Sequence, residues 1–200
     1  MKRTNAPLPI LIAIASMLTV AMLATTAAPV AAADPWRAKA AEKLAVKLTN
    51  CLRSGGYVRT DGTCKGWGKG RYAKPRPLLK RSAKISNKVA WPWARRSVTW
   101  YGTRSCWIGH QRYGSTEDKR FATVGLKHRI NGENMGCGLY GSGKRTVIRV
   151  VRMWQAEKSY GGWHWRQLRS KDYRSVGVGV ARYGKRKTQL VMNLYGKLVR

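Results

Sequence analysis

The sequence predicts an α+β domain, helices plus a small sheet in a single unit, ending in an antiparallel hairpin. Three patterns predict it. Trp36, Ala40, Leu44, Leu48 and Leu52 recur every four residues, an apolar helical face that runs to about Arg53. Val147, Val150, Val151 and Trp154 fall at i, i+3, i+4 and i+7, a second helical face despite their β-branched content. "SVGVGVA" alternates valine with glycine or serine, and after the turn "YGKR" the run "TQLVMNLY" supplies a partner strand.

Along the chain, Lys2 and Arg3 precede an uncharged, mostly apolar run from Leu8 to Ala24, and "AAPVAAAD" offers an A-x-A cleavage site at Ala31 and Ala33. Residues 1–33 therefore read as a secretory signal peptide; left uncleaved, the segment would act as a membrane anchor. Residues 34–200 are then one domain, with an N-terminal helix and a basic loop over 34–80. Asp34 is the expected N-cap and Pro35 the first helical residue. The Gly-, Lys- and Tyr-rich stretch from Ser54 to Pro77 has no sustained period and is expected to be a long loop. "AKISNKVAWPWARRSVTWYG" is a further helical segment in which Pro92 either kinks the helix or opens a fresh turn. "STEDKRFATVG" carries a capping box from Ser115 to Asp118 with Gly125 as its stop, and Gly161 and Gly162 end the valine-rich helix.

Forty Lys and Arg stand against eight Asp and Glu, a formal net charge of +32. Loss of residues 1–33 removes only Lys2 and Arg3 and leaves +30. A bias of this size predicts association with polyanions that weakens as salt rises. For a secreted chain the expected partner is an anionic envelope polymer or lipid. Nucleic acid is expected only non-specifically, because the charge and nine tryptophans come without a recognisable nucleic-acid module.

Cys51, Cys64, Cys106 and Cys137 are an even number in an exported chain, which favours disulfides, and the absence of C-x-x-C spacing argues against a zinc ribbon. Three connectivities are possible. The economical one joins Cys51 to Cys64 and Cys106 to Cys137.

Acids are scarce, so those in structured segments stand out. Glu157 falls three residues after Trp154, on the apolar face of its helix, where a carboxylate needs a partner. The glycine pair that follows turns the chain and presents His164, which can return to Glu157; a frayed helix would instead leave Glu157 a solvated surface acid. Glu133 lies in "NGENMGCG", four residues before Cys137, and His110 lies four residues after Cys106. A Cys106–Cys137 bond would bring those two together, with Gly132, Gly136 and Gly138 letting the backbone pass close to whatever the glutamate serves.

These residues also carry a family resemblance. "GH-x-x-YGST-x-DKRF" followed by "NGEN-x-GCG", "W-x-x-EKSYGG-x-HWRQ" and "VGVGVA" resembles the CAP superfamily of cysteine-rich secretory, allergen and pathogenesis-related proteins, over about Gly109 to Gly196. The resemblance implies a three-layer α-β-α sandwich with a cleft lined by His110, Glu133, Glu157 and His164. His128 has no counterpart in that pattern, and Trp163 stands where animal and plant members usually have glycine. Two imidazoles and two carboxylates suit a divalent metal, zinc by ligand type, with His110 and His164 as ligands and Glu133 and Glu157 orienting them or holding water. The expected function is a secreted, non-catalytic extracellular binding module for envelope polyanions or lipids. The alternative is a metal-dependent, peptidase-like hydrolase acting on peptide or cell-envelope material, with Glu133 and Glu157 as candidate catalytic residues. No G-x-S-x-G or H-E-x-x-H motif is present to support other hydrolytic machinery.

Overall fold

The structure is a computed structural model that describes residues 35–102, 104–126 and 130–196. The expected signal peptide, Asp34 and His128 lie outside the described residues.

Strand β1 (Trp36–Arg37) leads into helix α1 (Lys39–Arg53). The buried face of α1 differs from the expected one. Trp36 is half exposed in a strand against Arg182, and Ala41, Ala45, Leu48 and Leu52 line the buried face, rather than Ala40 and Leu44. A four-residue spacing drifts around a helix of 3.6 residues per turn, so the first members of the series rotate off the core. The stretch from Ser54 to Pro77 is likewise not only loop, since β2 (Tyr57–Val58) and β3 (Cys64–Lys65) pair as a short antiparallel ribbon. The Cys51–Cys64 disulfide pins that ribbon to the end of α1.

Strand β4 (Lys80–Arg81) precedes α2 (Ala83–Ile85), a π-helical turn over Ser86–Ala90, and α3 (Trp91–Thr99). Pro92 therefore sits inside one continuous helical run, at the point where the π-helical turn interrupts the regular ladder and accommodates its missing N–H. Helix α4 (Glu117–Ala122) is capped by Thr116, whose hydroxyl accepts from the Lys119 N–H, one residue beyond the expected Ser115; Gly125 follows it at φ +71°. β5 (Asn131–Leu139), α5 (Gly143–Ala156), a 3-10 turn over Glu157–Tyr160, α6 (Trp163–Arg169), β6 (Ser175–Tyr183) and β7 (Lys187–Tyr195) complete the chain.

The sheet order is β1-β6-β7-β5, with the two-residue β4 joining the outer edge of β6 in parallel beyond β1. β5, β6 and β7 are antiparallel neighbours over nine residues each. Because alternate residues face opposite sides, Val176, Val178 and Val180 join a core with α1, α5 and α6. On the other face Ala181, Val191 and Met135 pack against Trp93, Ala94 and Val98 of α3. The result is the α-β-α sandwich.

The glycines of "SVGVGVA" set the distance between two layers. A Cβ on Gly179 would lie 2.4 Å from the Ala90 carbonyl oxygen, and one on Gly177 would lie 2.3 Å from the Ile85 side chain. The α2–α3 backbone thus rests directly on β6. Gly179→Ala is expected to lower stability by about 1–3 kcal/mol, because helix backbone rather than a side chain must move. Urea unfolding against wild type measures it; an unchanged midpoint contradicts this packing.

Candidate functional site

β5 is the edge strand of the sheet, and its alternation places Glu133 on the α3 side and Asn134 on the α6 side. "NGENMGCG" lies wholly within β5. Its glycines serve packing: a Cβ on Gly136 would lie 2.3 Å from Val150 of α5, and one on Gly138 would lie 2.7 Å from Thr146.

On the α3 side, Glu133 is 1% exposed and accepts three hydrogen bonds. Its Oε2 receives Arg120 Nη2 at 2.7 Å and Asn193 Nδ2 at 2.8 Å, and its Oε1 faces His110 Nδ1 at 3.1 Å. Asn193 is the direct cross-strand partner of Glu133 on β7. Arg120, from α4, also donates to the carbonyls of His110 and Ser115 and stacks on Trp93, so one guanidinium fixes both members of the pair. The loop that carries His110 is tied to β5 by the Cys106–Cys137 disulfide. Trp107 meets Trp100 edge-on at 4.4 Å within the same loop region. The His110 side chain remains 43% exposed.

On the α6 side, Glu157 opens the turn after α5 and is buried. Its Oε1 lies 2.6 Å from His164 Nδ1, while its Oε2 accepts the backbone N–H groups of His164 at 2.9 Å and Trp165 at 3.3 Å. Glu157 is thus both the partner of His164 and the N-terminal cap of α6, where a negative charge suits the helix dipole. Gly161 takes φ +66° to turn the chain, and a Cβ on Gly162 would fall 2.5 Å from the Glu157 carboxylate. The His164 ring stacks on the buried Trp154 at 5.6 Å.

The four expected residues therefore form two His–Glu pairs on opposite faces of one edge strand. Asn134 joins them through the backbone, donating to the His164 carbonyl at 3.2 Å. Each carboxylate can only accept, so each Nδ1 donates and a neutral ring keeps its Nε2 lone pair for a ligand. Among the described residues no group of three or more His, Cys, Asp or Glu side chains is arranged to hold a metal ion. By donor chemistry alone, two imidazole nitrogens completed by water would suit such an ion.

Arg120, Asn193 and Asn134 escaped the sequence reading. Arg120 is one of forty cations and nothing local marks it. Asn193 had a signal, a polar residue in the apolar run "TQLVMNLY". Glu117 was missed as well: its Oε1 is buried without a hydrogen-bond partner, and burial, reinforced by the charge of Glu133, pushes its carboxyl up to about 8. Tyr173, whose hydroxyl donates to the Asn131 carbonyl, is pushed up to about 12 by burial and then by Glu117.

The profile of the cysteine-rich secretory protein family, CAP, matches residues 46–195, well over half of the chain. The chain belongs to this family. Among solved structures, an outer surface protein from Borrelia burgdorferi aligns with TM-score 0.59 and 16% identity, over 82% of this chain and 97% of that one. An extracellular protein containing an SCP domain from Bacillus anthracis aligns with TM-score 0.53 and 17% identity, over 80% of this chain and 41% of that one. NaASP2, solved with Zn2+, aligns with TM-score 0.51 and 13% identity, over 80% of this chain and 85% of that one. At these identities the likeness shows the CAP fold alone. No match is found among curated proteins.

Glu117 gives the cluster around Glu133 a pH signature. Its carboxyl ionises near 4.5 when unconstrained and near 8 in the folded protein. The stability it contributes is full below 4.5, falls as pH rises between the two values, and is gone above 8. Glu117→Gln removes this dependence. The variant is expected to match wild type near pH 4 and to exceed it increasingly up to about pH 9, read as unfolding midpoints; a difference constant with pH contradicts the assignment.

Proposed function

We propose that this CAP-family protein is a secreted, non-catalytic binding module that captures envelope polyanions or anionic lipids through its basic surface, with a cleft at which His110 and His164 take a divalent ion. The observation that carries this reading is where the acids lie. Of the eight acids in the chain, Glu42, Glu133 and Glu157 are buried and bonded to internal donors. Glu42 alone accepts from Arg37 at 2.6 Å and Arg81 at 3.3 Å. Among the described residues only four cations, Arg53, Arg120, Arg169 and Lys187, are buried, so the surface keeps a large excess of positive charge, which favours attraction of polyanions over a long range. Two disulfides agree with an oxidising, extracellular compartment.

His110 and His164 would hold the ion through Nε2, with Glu133 and Glu157 fixing their rings from behind. A bound zinc ion would supply an electrophilic centre for an anionic oxygen. The binding reading is preferred over hydrolysis because of how the carboxylates are used. Glu133 already accepts from three donors, and so does Glu157. Each carboxylate keeps about one of its roughly four lone-pair positions, and that little freedom favours fixing an imidazole over acting as general base.

Zinc titration calorimetry on wild type is expected to show uptake that His110→Ala/His164→Ala abolishes; undiminished uptake by the variant overturns the ligand assignment. Retention on immobilised polyphosphate is expected to survive chelator and to be lost as salt rises from about 0.05 to 0.5 M. Retention that chelator abolishes, or that salt leaves intact, overturns the electrostatic reading.

A further inference from the structure

Far from the His–Glu cleft, α1 and α5 lie side by side and leave a groove between them. It consists of two adjoining depressions of about 470 and 330 Å³ that share Ala40 and Lys144. Lys43 and Lys47 line the first and Lys39 lines the second. Lys39, Lys43 and Lys47 stand four residues apart on α1, so their charges follow one another at intervals of about 6 Å along the helix. Lys144 faces them from the start of α5. All four are exposed, and none makes an ion pair or side-chain hydrogen bond among the described residues. The one acid of the groove, Asp61, is occupied by the Thr63 hydroxyl and N–H, each at 2.8 Å.

The floor is aliphatic, built from Leu44 and Ile148, which pack partly buried on the main core. Gly62 seats directly on Ile148, since a Cβ there would lie 2.6 Å from its Cδ1, and so closes one end. At the other end the Trp36 ring is covered by the Arg182 guanidinium at 4.9 Å.

We propose that this groove binds a single linear polyol-phosphate chain, its phosphates on Lys39, Lys43, Lys47 and Lys144 and its carbon backbone on Leu44 and Ile148. Three features select this occupant. The lysine series repeats on the scale at which phosphates repeat along an extended chain, and Asp61 is the one counter-charge lining the groove against four lysines. The floor beneath the lysines is aliphatic, and the one ring of the groove, half-exposed Trp36, stands at its end with Arg182 over it. There is thus no series of rings on which successive bases stack, the main anchor for single-stranded nucleic acid. A flat bilayer reaches the lysine rim but not a concave floor. The proposal names the ligand and site within the polyanion binding proposed above and rests on that reading.

The test uses the purified protein and three probes: a glycerol-phosphate oligomer, an oligothymidylate of matched charge, and phosphatidylglycerol vesicles. Wild type is expected to prefer the glycerol-phosphate oligomer at about 0.05 M salt. Lys43→Glu/Lys144→Glu is expected to weaken that binding at least tenfold and to flatten the log–log salt slope by about 1.4, two contacts at about 0.7 each. Lys84→Glu/Lys88→Glu, an equal charge change on exposed residues of the α2–α3 layer, is expected to weaken it less than threefold. Equal losses in the two variants overturn the groove while leaving general polyanion binding standing. Tighter binding of oligothymidylate or vesicles through the same lysines overturns the choice of ligand. A wild type that binds none of the probes overturns the polyanion reading and the groove with it. Matching thermal midpoints for the variants exclude misfolding as the cause of a loss.

Discussion

The Arg53 guanidinium is fully buried at the end of α1 and is held by main-chain oxygens alone. It donates to the carbonyls of Pro77 at 2.6 Å, Leu168 at 2.7 Å, Ser170 at 2.9 Å and Tyr173 at 3.3 Å. Burial, and then the neighbouring Arg169, Arg174 and Arg76, push it down to about 10, still well charged at neutral pH. Arg169 reciprocates from α6, donating to the carbonyls of Leu52, Arg53 and Lys74. The last carbonyls of a helix lack internal partners and carry the negative end of its dipole, so a cation there replaces both water and a counter-ion. Only arginine has enough donors in fixed directions to gather so many oxygens. The exit of α1, the loop at 74–77 and the exit of α6 are thereby drawn to one point. The position of α6, and with it His164, follows from that point.

The same economy governs the rest of the interior. With few acids available, each buried one serves several donors. Glu42 joins Arg37, Arg81 and the Val180 N–H; Glu133 joins α4, β7 and the His110 loop; Glu157 joins the end of α5 to the start of α6. Where no acid is available, carbonyls substitute. Lys187 is buried on β7, its ammonium pulled down by burial, and it donates to the carbonyls of Trp100 at 2.5 Å and Gly102 at 3.0 Å. This anchors the start of the His110 loop to the sheet. Using acids internally also leaves the exterior uncompensated, so the stability of the core and the charge of the surface have one origin.

What could be read in advance depended on how local its cause was. The α5 face at Val147, Val150, Val151 and Trp154 is entirely buried, and the hairpin forms at the expected turn, because both patterns are written in neighbouring residues. Both disulfides form the economical pairing. The strand character of "NGENMGCG" was hidden because its glycines answer to α5, a contact made by residues later in the chain. Trp36 misled because it fitted a spacing while its actual partner, Arg182, lies far along the sequence. The family pattern named four residues of the site. The residues that orient them were invisible for a common reason: Arg120 and Asn193 matter only through the register of β5 on β7 and the docking of α4.

The two His–Glu pairs are held with different rigidity. His164 is held by a carboxylate that also caps its helix, by stacking on buried Trp154, and by a helix whose far end is clamped through Arg169. His110 hangs from a loop, with one side-chain contact to Glu133, a backbone contact to Arg120 and a disulfide four residues away. Adjustment on the His110 side runs through Arg120, which spans Glu133, Ser115 and Trp93 at once. The unpartnered Glu117 carboxyl oxygen lies one helical turn earlier, close enough for its charge to act on the same cluster. Its protonation therefore changes the field at the His110–Glu133 pair.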